Sequence, residues 1–139
     1  MKLYHFTAQH HLDGGAGHPG PGILHAGIRP TIHPYIDVAG GMVWLTDDPS
    51  WSQPWSTRAV PVPGYGPCNR TEVRIEVAIP RASRRSLGTW RQLREFVLTE
   101  GLARDMERYA NPDRWFVYAG IIPRGWIRSI ERRSVAVAS

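Results

Sequence analysis

Within nine consecutive residues, Thr71-Glu72-Val73-Arg74-Ile75-Glu76-Val77-Ala78-Ile79, polar and apolar side chains alternate from Glu72 to Val77. A period of two over that length predicts a half-buried β-strand and excludes a helix there. Val73, Ile75, Val77 and Ile79 face one way, and Glu72, Arg74 and Glu76 the other. Four shorter runs read as further strands: Leu3–Thr7, Met42–Thr46, Trp115–Tyr118 and Trp126–Glu131. Residues 89–109 are the one substantial helical stretch, with Trp90, Leu93, Phe96, Val97, Leu102 and Met106 at helical spacing. Gly101 is expected to bend or break it.

The connections carry the breakers. Residues 13–22, Asp-Gly-Gly-Ala-Gly-His-Pro-Gly-Pro-Gly, cannot form regular structure, because glycine costs chain entropy and proline lacks the amide donor. Residues 23–27 suffice for a turn or two of helix, with Gly27 as its stop. Ile28-Arg29-Pro30 then runs extended. Residues 47–70 read as a long irregular segment holding Trp51, Trp55 and Tyr65, folded back as a flap. A chain of 139 residues is one domain's worth. The domain is expected over residues 1–133, with 134–139 a short tail.

No apolar run approaches the roughly 18 residues that span a membrane, so no membrane partner is expected. A single cysteine, Cys68, cannot pair internally, which fits a reducing, cytoplasmic setting. Oligomeric state is not legible. Net charge is +5, and every basic side chain except Lys2 is arginine. Arginine suits bidentate contact with phosphate and stacks on rings. An arginine-rich surface is therefore a candidate for nucleic acid, although the arginines are scattered along the chain. The tightest groups are Arg81/Arg84/Arg85 and Arg132/Arg133.

The first strand holds the most pointed chemistry. By alternation His5 and Thr7 share one face, and Tyr4 and Phe6 the other. Polar groups on a strand are costly unless bound, so the His5/Thr7 face is expected to be a polar pocket and the Tyr4/Phe6 face core. Reading His5, His10 and His11 as zinc ligands lacks a supporting Cys pair or His-Glu-x-x-His, so no metal is expected. Gly14-Gly15-Ala16-Gly17 lacks the Lys-Ser/Thr of a phosphate loop. Cys68 has no neighbour that would lower its pKa.

His5-Phe6-Thr7, then Gly27-Ile28-Arg29-Pro30, then Val43-Trp44-Leu45-Thr46 follow one another in an order that resembles the compact ADP-ribosyltransferase fold. The likeness is to its DNA-modifying toxin branch and to the tRNA 2′-phosphotransferases. Ile122-Pro123-Arg124-Gly125-Trp126-Ile127 is similar to that family's proline turn between its last two strands. The resemblance implies a small α+β domain with a twisted, split antiparallel sheet, one main helix and long loops. It implies NAD as a substrate, with His5 and Thr7 holding the dinucleotide. Trp44, Thr46 and Trp51 would wall the pocket, and Tyr35 is an alternative aromatic for closing it. The target would be a nucleic acid or a protein.

One departure bears on catalysis. Where the toxin branch has a glutamate on the strand ahead of the proline turn, this chain has Trp115. Transfer of ADP-ribose passes through a cationic sugar that a carboxylate must stabilise. Glu76, on the polar face of the best-defined strand, is the candidate acid, with His5 beside it in the catalytic set. If no acid serves, the chain is a non-catalytic nucleotide- or nucleic-acid-binding module on the same fold. An RNA 2′-phosphotransferase-like enzyme is the third expectation.

Overall fold

The computed structural model describes residues 2–8, 10–13, 22–31, 36–51, 60–62, 66–68, 72–108 and 112–133. In chain order the elements are β1 (Leu3–Thr7), α1 (His10–Asp13), α2 (Ile23–Ala26), β2 (Val43–Thr46), β3 (Val60–Val62), β4 (Gly66–Cys68), β5 (Val73–Val77), β6 (Leu87–Thr89), α3 (Trp90–Leu93), α4 (Glu100–Arg108), β7 (Trp115–Tyr118) and β8 (Ile127–Arg132). Six strands form one antiparallel sheet in the order β6-β7-β2-β1-β5-β8, and β3 and β4 make a separate two-stranded ribbon. The domain is α+β.

The alternating run is β5, paired residue for residue with β1 from Leu3↔Val77 to Thr7↔Val73. Beside β1 the sheet nearly parts. β1 and β2 share the single register pair Tyr4↔Thr46, whereas β2 pairs with β7 along its whole length.

Each face of the sheet has its own core. Val43, Leu45, Val73, Ile75, Val77 and Tyr118 pack on one side with Leu12 of α1, Ile23 of α2, Ile28 and Ile122. Met42, Trp115 and Val117 pack on the other with Trp90 and Leu93 of α3 and Ala103 of α4. The pairings make β5 and β6 run in the same direction, and likewise β7 and β8. Each of those connections must therefore cross a face of the sheet. Both cross the α1/α2 face: Ile79 and Ile122 lie in that core, and Leu87 and Trp126 pack against it. The crossovers are tied to each other by Ala78 N to Trp126 O (2.8 Å) and Ala119 N to Ser86 O (3.0 Å).

Several sequence expectations are corrected. The helix expected over residues 89–109 is two helices. A capping box of Thr89 and Gln92 opens α3, and a 3-10 turn over Arg94–Phe96 closes it. Val97 then leaves helical geometry and forms an isolated bridge with Ile36, so a tertiary pairing makes the break. Gly101 lies inside α4. Thr99 Oγ1 accepts from Leu102 N at 3.1 Å and starts the second helix. Phe96, assigned to the apolar face, is 52% exposed. Leu87–Thr89 forms edge strand β6, unforeseen because three residues with a central glycine carry no strand pattern; pairing with β7 creates it. The segment 47–70 is not wholly irregular, since it contains the β3/β4 ribbon.

Candidate functional site

Directly opposed residues of an antiparallel pair share a face. His5 lies opposite Ile75 and Thr7 opposite Val73, and both partners are fully buried. His5 and Thr7 are therefore on the larger apolar face, and the expectation that the Tyr4/Phe6 face is core is reversed. The five residues Leu-Tyr-His-Phe-Thr have apolar members at both parities, so β1 alone cannot choose its core face. The apolar set of β5, aligned by register, chooses it.

The two polar side chains are satisfied on the spot. The carbonyl of Trp44 can only accept, so the 2.9 Å contact from His5 Nδ1 places the proton on that nitrogen. The imidazole thereby bridges β1 to β2 where the backbone ladder has stopped. Thr7 is buried, and its hydroxyl shares a 2.7 Å hydrogen bond with Nδ1 of His11 in α1. His11 joins the row as a residue the sequence offered only as a zinc candidate. Among the described residues no three His, Cys, Asp or Glu side chains gather as metal ligands.

Trp44, Thr46, Trp51 and Glu76 belong to the opposite face. Thr46 lies opposite Tyr4, and Tyr4 lies opposite Glu76. Thr46 is buried, and its Oγ1 accepts from Asp48 N at 3.1 Å, which tightens the exit from β2. Trp44 packs with Trp90 and Trp115, ring centroids 6.2 Å from each. Trp51 meets Phe6 edge-on at 5.8 Å. Glu76, its side chain 24% exposed, has the well-exposed Lys2 Nζ at 4.0 Å. The structure thus brings four of the named residues to one side and puts His5 and Thr7 on the other. Tyr35 lies outside the described residues. Trp115, at the position of the missing glutamate, is 5% exposed and stands edge-on to Trp90 at 5.2 Å. It is a core residue.

Arg74 organises the Glu76 side of the sheet. Its guanidinium lies 5.6 Å from the Tyr4 ring centroid and 4.9 Å from that of Trp51. It donates to Glu131 Oε2 at 2.7 Å and to the Pro49 carbonyl. One side chain therefore holds the chain after β2 against β5. The sequence showed only an alternating charge here, because the partners are 25 and 57 residues away. Nearby, Arg114 Nε donates to Asp47 Oδ1 at 2.7 Å. That hydrogen bond, and then the charge of Asp47, push the Arg114 pKa up against the opposing effect of desolvation.

A groove of about 530 Å³ lies along α3 and α4, lined by Trp90, Arg94, Glu107 and Asp113 among others. Trp90 Nε1 donates to Glu107 Oε1 at 2.8 Å, and Arg94 bridges Glu107 to Glu100. The hydrogen bond from Trp90, followed by that from Arg94, holds the Glu107 carboxyl below its ordinary range. These partners satisfy one another and fasten α4 to α3.

Compared with known proteins, the chain matches no family model, no curated protein and no solved structure. No described helix is long and apolar enough to cross a membrane.

Proposed function

We propose that this chain is a nucleotide-binding domain of ADP-ribosyltransferase-like architecture. It takes NAD, or a nucleotide of the same chemistry, at the seam between β1 and β2. The observation that carries the proposal is the polar row at that seam. His5, Thr7 and His11 interrupt an otherwise apolar face where the two strands share one register pair. A parted antiparallel sheet with a histidine on the parting strand is what the family resemblance implies. Imidazole and hydroxyl groups each offer and accept hydrogen bonds, which suits a carboxamide, able to do both, or a phosphate, which accepts.

Binding and transfer separate at this point. Transfer needs a carboxylate beside the developing sugar cation. Glu76 is on the opposite side of the sheet from His5, and Trp115 is locked between indoles. This placement favours a binding module. The second reading, an active transferase on a nucleic acid or protein with Glu76 as its acid, rests on the order of the three amino-terminal motifs. Thermal melting with NAD and nicotinamide release, measured with and without DNA or RNA, decide between them. Stabilisation without release supports the binder. Release that disappears in Glu76→Gln supports the transferase. A melting temperature unmoved by NAD, together with no release, overturns both.

A further inference from the structure

Charge on this molecule is segregated by the two crossovers, which no one-dimensional reading reveals. Beside α1, whose last residue is Asp13, three stretches lie over the α1/α2 face: residues 22–31, 78–86 and 119–126. None contains an Asp or Glu. Together they hold Arg29, Arg81, Arg84, Arg85 and Arg124, all exposed. Among the described residues none of these five takes part in an ion pair, whereas Arg74, Arg94, Arg104, Arg108 and Arg114 all do.

The three stretches form one layer. Ile28 and Ile122 exchange both backbone hydrogen bonds at 2.9 Å. Arg124 Nη1 donates to the Leu24 carbonyl at 3.3 Å. The two crossovers are tied at both ends, as described above. Gly27 makes the close approach possible, since a Cβ there would fall 2.3 Å from the Ile122 carbonyl oxygen.

We propose that this layer is a docking surface for the phosphate backbone of a nucleic acid. Exposed guanidiniums with no acidic partner among the described residues attract any polyanion by releasing its counterions. Arginine forks engage phosphate oxygens two at a time. An anionic membrane is the competing polyanion, but lasting attachment there needs a buried apolar face as well as charge. Of the large exposed hydrophobics among the described residues, only Ile121 lies on this layer. The surface is independent of the seam, so the proposal goes beyond nucleotide binding and does not rest on it.

The test is fluorescence anisotropy of labelled duplex DNA and RNA against the whole protein across a salt series. Five phosphate contacts give a log–log slope of about −4.5, or roughly a five-hundredfold loss of affinity between about 50 and 200 mM salt. The triple variant Arg81→Gln/Arg84→Gln/Arg85→Gln is expected to bind at least tenfold more weakly and to flatten the slope by about 3. The charge-matched control Arg91→Gln/Arg104→Gln/Arg108→Gln is expected to change the slope by less than about 1. Melting curves of both variants check folding, and Arg29→Gln/Arg124→Gln reads the same layer from other positions. Equal losses in the two triples overturn the proposal, as does absence of binding at low salt. Tighter binding to phosphatidylcholine vesicles carrying phosphatidylserine than to either nucleic acid overturns it in favour of a membrane. NAD has no part in these readouts, so failure of the seam proposal leaves them unaffected.

Discussion

At the scale of the residue, position in the pairing register decides what a polar side chain does. Thr7 is buried and spends its hydroxyl on His11. Thr7→Val keeps the shape and removes that bond, so urea denaturation should show a loss of about 1 kcal/mol. Trp115 matters more. It touches two other indoles at 5% exposure, and Trp115→Ala should cost about 3–5 kcal/mol in the same assay. The tempting repair, Trp115→Glu, would bury a carboxylate among aromatic rings. Circular dichroism should report unfolding, and nicotinamide release should show no gain. A folded Trp115→Glu protein that releases nicotinamide would contradict this account of the site.

At the scale of the element, short pieces are stabilised by what they meet. α2 ends at Gly27 with φ +75°, under the Ile122 carbonyl. Gly27→Ala suffers both a left-handed backbone and a clash with backbone atoms, so a fall in melting temperature equivalent to more than about 1 kcal/mol is expected. α4 depends on its carboxylates. Glu107 has its pKa lowered chiefly by the Trp90 hydrogen bond. A depressed folded value means that its stabilisation is complete above the ordinary value of 4.5 and is lost as pH falls through the lower folded value. Glu107→Gln should therefore lower stability at neutral pH and flatten the acid limb of a stability–pH curve. An unchanged acid limb would show that the contact with Trp90 does not survive in solution.

At the scale of the whole molecule, two crossovers over one face of one sheet produce both the core and the charge segregation. The seam beside β1 is the second product of that topology, because β2 belongs with β7 and β1 with β5. Holding the seam by a side chain makes it sensitive to His5. His5→Ala should abolish any stabilisation by NAD in a thermal melt, while His25→Ala, an exposed change on α2, should leave it intact.

The sequence was most legible where one residue type repeats at a fixed period. The strand of residues 73–77 was read that way, those of residues 3–7, 43–46 and 115–118 from short apolar and aromatic runs, and the turn at Pro123 from its proline. It was least legible where tertiary partners decide. The break at Val97 needs Ile36, strand β6 needs β7, and the reach of Arg74 needs Pro49, Trp51 and Glu131. The site divided along the same line. Alternation put His5 with Thr7, but only the register against Ile75 and Val73 showed that they face the larger core, away from Glu76.

Sequence alone determined the α+β composition, the pairing-ready strands, and a cationic chain whose excess is carried by arginine. Tertiary structure alone decided which side of each strand is covered, and that Arg29 and Arg124 join the Arg81/Arg84/Arg85 group on one layer. The physical reason is that periodicity is a local property of the chain. Burial and electrostatic neighbourhood are set by partners far away in sequence, and exist only once the crossovers have closed over the sheet.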